Sequence, residues 1–394
     1  MKLLLILIPL IVINYSHTVE SVLENAVGIA QDDLNYIYHV NDDDPVVLNE
    51  KPTIEVVFVL DATGSMTDLI EGAKRKIWDI ANKIMTGDPV PEVKIGLVVY
   101  RDRGDEFVVK QYDLTDDIDA IYNKLIAVQA QGGGDFQEDV NMALAYAVDS
   151  ISWSDDGSTL KMIFLVGDAD PHMDYNDERH YPDICKQAIS QDIIINALRC
   201  GSNSNTEQVW QEIAHLAEGY YTTIDYSASA DIPTPYDDEI SSLSSELYGT
   251  VLVYGSDLER TETTAMLEVN EEAAGYSKTT TADRAVNAAM RAHGGTITTN
   301  DLLGGIIGGE IDLDDIEEDE LPDELKDLTP EQRQVYVDSL IEEREQISNR
   351  ITELSKLRVQ YIEENTEDTD ESFDAFVIEI LKNEADRINV RYED

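Results

Sequence analysis

Along the first half of the chain the apolar positions switch between two periods, and that switching predicts an architecture. Ile54 to Leu60 is a continuous apolar, β-branched run broken only by Glu55, the pattern of a strand buried on both faces of a sheet. Between Leu69 and Met85 the apolar residues Ile70, Ala73, Ile77, Ile80, Ala81 and Ile84 fall at helical spacing, and Gly87 with Pro89 ends the helix. Val93 to Tyr100 and Phe107 to Tyr112 read as strands of a hairpin across Arg101 to Asp105, followed by helices at 116–128 and 137–150. Leu160 to Val166 is a strand, 180–190 a helix, Ile193 to Leu198 a strand, Thr206 to Ala217 a helix and Gly219 to Ile224 a last short strand. This alternation specifies an α/β fold over residues 53–226, a doubly wound, mostly parallel sheet covered on both faces. Ligands of such sheets sit beyond the carboxyl ends of the strands.

The pattern changes after residue 226. Residues 227–308 read as an extension with mixed α/β elements: a helix at Asp237 to Leu247, a strand at Thr250 to Tyr254 and a helix at Ala282 to Ala292. Residues 309–328 read as an acidic linker, and 329–394 as a helical hairpin. Its first helix opens with Thr329 as N-cap, Pro330 at the first helical position and Gln332 at the third. Its second runs from Ser372 to Ile388. Leu340, Ile347, Leu354 and Tyr361 repeat every seven residues, which admits a coiled coil and oligomerisation through these helices, but Arg344 and Arg358 interrupt the other seam. Packing against a neighbouring helix is the preferred reading. At the other end, the apolar run Leu3 to Ile13 fits a signal peptide over residues 1–20 and is too short to cross a bilayer. An acidic lead-in follows over 21–52. The expected location is secreted, periplasmic or at the cell surface, with no transmembrane segment in the mature chain.

Composition narrows the field of partners. The chain carries 81 acidic against 28 basic residues, a formal charge of −53, so no basic face is available for phosphates and nucleic acid is excluded as a partner. A hydrophobic fraction of 42% still supplies a packed core and separates the chain from acidic disordered proteins. Cys185 and Cys200 fall at the same edge of the predicted sheet. A disulfide between them and a pair of buried thiols both remain open.

The chemistry concentrates where strands end. Asp61, Thr63 and Ser65 sit on alternate residues of the turn between the Ile54 to Leu60 strand and the first long helix, where a carboxylate and two hydroxyls can face one point. Such hard oxygen donors suit Mg2+, Mn2+ or Ca2+. Asp168 follows the Leu160 to Val166 strand at the same sheet edge, and Gly132-Gly133-Gly134 brings Asp135 from a third loop. Glu138 is expected either behind the metal ligands or, with Asp139, in the first turn of a helix; His172 flanks the site or is merely exposed. No catalytic residue is assigned: no Gly-x-Ser-x-Gly elbow and no zinc-like His and Cys spacing occur. Arg103-Gly104-Asp105 spells an integrin-recognition tripeptide, but it lies in a turn where Gly-Asp is expected anyway.

Together these features resemble the von Willebrand factor type A domains. Their metal-ion-dependent adhesion site uses Asp-x-Ser-x-Ser after the first strand, matched by Asp61, Thr63 and Ser65, and a later Asp matched by Asp168. Asp135 stands in for the family's intervening Thr. The region beyond 226 is similar to the C-terminal extension of secreted bacterial proteins with this domain. The resemblance implies metal-dependent binding of a protein or matrix partner, typically through an acidic side chain that completes the metal shell. With Asp61, Asp135 and Asp168 all ionised, one divalent cation leaves the site negative, which favours a neutral or water-bridged ligand or a structural metal. The alternatives are a metal-dependent hydrolase using the same cluster and an envelope scaffold.

Overall fold

The computed structural model describes residues 37–39, 45–47, 51–134, 137–200, 204–224, 232–274, 278–365 and 373–392. The expected signal peptide and most of the expected acidic lead-in lie outside these residues. Two short strands, β1 (Ile37–His39) and β2 (Pro45–Val47), pair antiparallel within a unit of their own that ends at Lys51. Everything from Pro52 onward forms the second unit.

That second unit is built on six strands: β3 (Thr53–Asp61), β4 (Glu92–Tyr100), β5 (Val109–Thr115), β6 (Thr159–Gly167), β7 (Ile193–Cys200) and β8 (Tyr221–Ile224). Their order is β5-β4-β3-β6-β7-β8, all parallel except β5. The chain moves outward from β3 through β4 to β5 and then returns to place β6 on the other side of β3. A crevice opens at that reversal, between the carboxyl ends of β3 and β6. The central strands are buried on both faces, which is why they read as unbroken apolar runs. The edge strand β5, Val-Lys-Gln-Tyr-Asp-Leu-Thr, alternates instead and lies slightly beyond the predicted run.

One face of the sheet, carrying Ile54, Val56, Phe58 and Leu60, packs under helices α1 (Thr67–Ile84) and α2 (Ile118–Ile126). The other face, carrying Val57 and Val59, packs under α3 (Val140–Asp149), α4 (Tyr181–Ser190) and α5 (Ser204–Leu216). This division separates the two cysteines. Cys200 points into the first layer and Cys185, on α4, into the second, so the sheet stands between them and no disulfide forms. Burial pushes the Cys185 thiol up to about 12 and that of Cys200 well above its ordinary value. A thiol reagent should therefore titrate neither in the native protein and both after unfolding without reductant. Only one or no titratable thiol on unfolding would contradict this arrangement.

The rest of the unit is helical: α6 (Asp237–Tyr248), α7 (Asp257–Ala274), α8 (Lys278–Gly294), α9 (Leu302–Ile307), α10 (Asp323–Lys326), α11 (Pro330–Asn365) and α12 (Phe373–Glu384). Several expectations change here. Thr250 to Tyr254 forms no strand and makes only an isolated bridge, Val253 to Asp301. The acidic linker is packed: Leu321 and Leu325 are buried with Leu302, Leu303 and Val337. The long helix α11 lays its Ile347, Ile351 and Leu354 stripe against α6 and α8, so that seam is used within the chain. Arg344 and Arg358 interrupt a coiled coil because they are buried ion-pair partners. Arg344 donates to Asp301 at 2.7 and 3.0 Å, and Arg358 to Asp237 at 2.9 Å and Asp283 at 2.7 Å.

In place of a hairpin with α11, α12 packs on α1. Val377, Ile380 and Leu381, with Ile388 and Val390 just beyond the helix, enter the same core as Phe58 and Phe164. Arg391 and Asp88 exchange two backbone hydrogen bonds, and the Tyr392 hydroxyl donates to the Ile84 carbonyl. The α7 helix, Asp-Leu-Glu-Arg-Thr-Glu-Thr-Thr at its start, shows no clear apolar stripe and escapes the sequence reading. Among the described residues no helix is long and apolar enough to cross a membrane.

Candidate metal centre

The crevice between β3 and β6 is filled from four loops. Asp61 ends β3 and is fully buried. Its Oδ1 accepts from the Thr63 amide at 2.8 Å and from the Thr63 hydroxyl at 2.7 Å. The Thr63 and Ser65 hydroxyls are 3.2 Å apart, and Ser65 donates to Asp168 Oδ1 at 3.1 Å. A continuous chain of oxygens thus links the ends of β3 and β6, as the alternate-residue spacing predicts. The other Asp61 oxygen, Oδ2, is buried and has no hydrogen-bond partner.

Local backbone chemistry holds this turn open to solvent on one side. A 3-10 turn at Gly64–Met66 leads into α1, and the Thr67 hydroxyl donates back to the Gly64 carbonyl. Strand β6 ends on Gly167 because a side chain there has no room: a Cβ would meet the Tyr100 hydroxyl at 2.5 Å and Asp61 Cβ at 3.1 Å. The third loop clamps on from the side, with Gln131 N donating to the Ala62 carbonyl at 3.0 Å and Gly64 N to the Gly132 carbonyl at 3.3 Å. Gly132 and Gly133 both take positive φ, which a residue with a Cβ adopts at a cost.

Asp135 lies outside the described residues. Glu138, three residues on, is brought to the site: a Cβ on Gly133 would lie 3.4 Å from Glu138 Oε1 and 3.6 Å from Thr63 Cβ. Its backbone fixes it, donating to the Asp170 carbonyl at 3.0 Å and accepting from the His172 amide at 3.2 Å. Glu138 Oε2 is a second buried carboxylate oxygen without a hydrogen-bond partner. Asp139 lies one position before the first turn expected for it and caps α3, accepting from the Met142 amide at 3.1 Å. His172 is buried rather than exposed, stacked on Tyr175 with its Nδ1 2.8 Å from Asp174 and its Nε2 3.6 Å from Asp102.

The integrin-type tripeptide is absorbed by the fold. Arg103 donates to Asp139, Asp177 and Glu178 and lies 4.0 Å over the Tyr175 ring, while Asp105 accepts from the Gly133 amide at 3.1 Å. Sequence reasoning missed Asp102 and Asp105 as neighbours of the site. Their place just past β4, at the same sheet edge, is the signal that points to them.

Electrostatics follow from this crowding. Burial pushes the Asp61 carboxyl up to about 7, opposed by its Thr63 hydrogen bonds and reinforced by the Asp168 charge. Burial also pushes Glu138 up to about 9, with the charges of Asp61, Asp102, Asp105 and Asp168 adding to it. A fully buried carboxylate with an orphaned oxygen is costly unless a proton or a cation satisfies it. Among the described residues no three His, Cys, Asp or Glu side chains form a cluster shaped to hold a metal. The donor set that fits a cation is the mixed one of Asp61, Thr63, Ser65 and Asp168, hard oxygens suited to Mg2+, Mn2+ or Ca2+.

The fold and the site define a doubly wound α/β domain that gathers oxygen donors at its switch point. Residues 55–232 match the sequence model of the von Willebrand factor A domain. No curated protein matches the chain in sequence. Structures with a similar fold include the SpRpn10 VWA domain, 14% identical, covering 48% of this chain and 94% of that one at a TM-score of 0.35. Proximal thread matrix protein 1 from the mussel byssus is 17% identical, covering 45% of this chain and 42% of its own, also at 0.35. A form of it with a zinc-occupied MIDAS motif is 18% identical, covering 44% of this chain and 42% of its own, again at 0.35.

Proposed function

We propose that the protein is a secreted or surface-located, divalent-metal-dependent binding protein that engages a protein partner through the loops at the carboxyl edge of its sheet. The observation that carries this is the oxygen chain from Asp61 through Thr63 and Ser65 to Asp168, together with the buried, unpartnered Asp61 Oδ2. In this reading Asp61, Thr63, Ser65 and Asp168 hold the cation, and Asp135 is a further ligand by its place in the third loop. A bound cation supplies an electrophilic point that binds a partner's oxygen or orders water toward it. The residues supply the rest: Asp61 fixes both hydroxyls, Gly167 permits the close approach, and the 131–134 loop holds the turn in place.

The sign of the pH dependence follows from Asp61. Its carboxyl holds a proton in the fold up to about 7, while an ordinary carboxyl loses it near 4. The folded, metal-free protein therefore binds more protons than the unfolded chain in that window and loses stability as pH rises through it. A cation must displace this proton, so affinity should climb with pH by up to roughly tenfold per unit until about pH 7. Calorimetric titration with Mg2+, Mn2+ and Ca2+ at pH 5.5 and 8 tests both points. Tighter binding and a larger metal-induced rise in Tm are expected at pH 8; no specific binding at either pH would overturn the reading.

A further inference from the structure

The charge around the metal centre does not end with its ligands. The described residues of the four loops that form this edge, 61–66, 101–108, 131–134 with 137–139, and 167–179, contain eleven acidic and three basic residues. All three bases are engaged. Arg101 is buried and donates to the Ala62 carbonyl at 3.1 Å and the Gln129 carbonyl at 2.6 Å. Arg103 is shared among Asp139, Asp177 and Glu178, and Arg179 pairs with Asp149. No arginine is left to balance Glu138, which is 4% exposed, has an unpartnered oxygen, and feels the charges of Asp61, Asp102, Asp105 and Asp168.

One divalent cation balances Asp61 and Asp168. Asp102 and Asp105 remain, among the described residues with the Tyr175 hydroxyl and His172 beside Asp102 and the Gly133 amide beside Asp105, and Glu138 adds a carboxyl oxygen without a hydrogen-bond partner. A partner carboxylate approaching the metal meets these two aspartates at close range, where like charges in a partly buried site repel more strongly than in water. A lysine or arginine side chain meets the opposite field.

Building on the metal-dependent reading, we infer that this edge takes a basic segment of a protein partner, with a lysine or arginine side chain set against Glu138 and Asp105 beside the metal. The partner's cation supplies the positive charge that no base of these loops offers to Asp105 and Glu138, and the metal supplies the electrophilic contact to a neutral oxygen of the same segment. Long-range steering by the whole chain's negative charge then speeds the encounter, and the crevice confers the specificity.

The test uses the full chain loaded with Mg2+ and two peptides of equal length, one lysine-rich and one glutamate-rich, with affinities read by fluorescence anisotropy. The basic peptide should bind and the acidic one should not. The pair of changes Glu138→Gln and Asp105→Asn should weaken basic-peptide binding about tenfold, whereas Glu317→Gln with Glu318→Gln, which removes the same charge from the acidic 310–320 run, should change it less than about twofold. Tighter binding of the acidic peptide, no binding of the basic one, or equal weakening by the 317/318 control would overturn the inference. If the first pair does not fold, Asp105→Asn alone is read against Glu317→Gln by the same criterion. A chain that distinguishes the peptides yet binds no metal in calorimetry keeps this inference and loses the metal-dependent reading, so the two failures are separable.

Discussion

Replacing Asp61 by Asn should cost the protein its metal site and yet make the metal-free fold more stable. Asp61 Oδ1 organises the site by accepting from the Thr63 amide and hydroxyl, and an Asn carbonyl oxygen can accept both. The loop geometry therefore survives. What disappears is the negative charge that balances a cation, and a loss of about a hundredfold or more in Mg2+ affinity is expected. The same charge is what burial penalises in the empty site. A shift from the ordinary carboxyl value to about 7 corresponds to an upper bound of about 4 kcal/mol at alkaline pH, of which Asp61→Asn should recover some 1–3 kcal/mol at pH 8. Urea denaturation in chelator, with and without the substitution, reads the second effect and calorimetry the first. A variant that loses affinity and stability together would mean that Asp61 is a structural cap and that its charge is not held for a cation.

The second large effect lies far from the site. Arg344 is 1% exposed, and its guanidinium meets both oxygens of the fully buried Asp301 while also donating to the Thr250 hydroxyl and carbonyl. Arg344→Met removes one partner and strands the other, and about 3–5 kcal/mol of destabilisation is expected. The loss should come mainly from the abandoned Asp301 and only slightly from the missing attraction. Adding Asp301→Asn to Arg344→Met should therefore restore about half of it or more, since Asn can still accept from the Ile297 amide that Asp301 serves now. A double variant no more stable than Arg344→Met would locate the cost in lost packing of the arginine stem.

These two sites differ in how far the sequence announces them. Strands β3, β4, β6 and β7 are legible because a strand covered on both faces has no polar alternation, and Asp61, Thr63, Ser65 and Asp168 are legible because they follow such strands directly. Strand β5 is displaced by a few residues because its exposed edge dilutes the apolar signal. Thr250 to Tyr254 looks like a strand by composition, but Thr250 instead serves Arg344, a partner from far along the chain. The same holds for Arg358, Asp237 and Asp283: each reads as a solvated charge until long-range pairing buries it. Cys185 and Cys200 look close because both fall at one sheet edge, and only the placement of α4 on the far face from Cys200 separates them. His172, which the sequence leaves open between flanking the site and lying exposed, is buried, with Tyr175 stacked over it.

The core of the α/β domain is completed by residues that lie well beyond it in the chain. Val377, Ile380, Leu381, Ile388 and Val390 line the apolar layer shared with β3 and β6, after six intervening helices have been laid down. A ribosome releases the whole sheet before it releases this closing segment. The nascent sheet must wait, with one face incompletely covered, for a helix made last, and during that interval it is a client for chaperones and a hazard for self-association. A nonsense mutation or proteolytic cut before Phe373 accordingly does not trim a tail. It leaves the α/β half of the molecule with an open core.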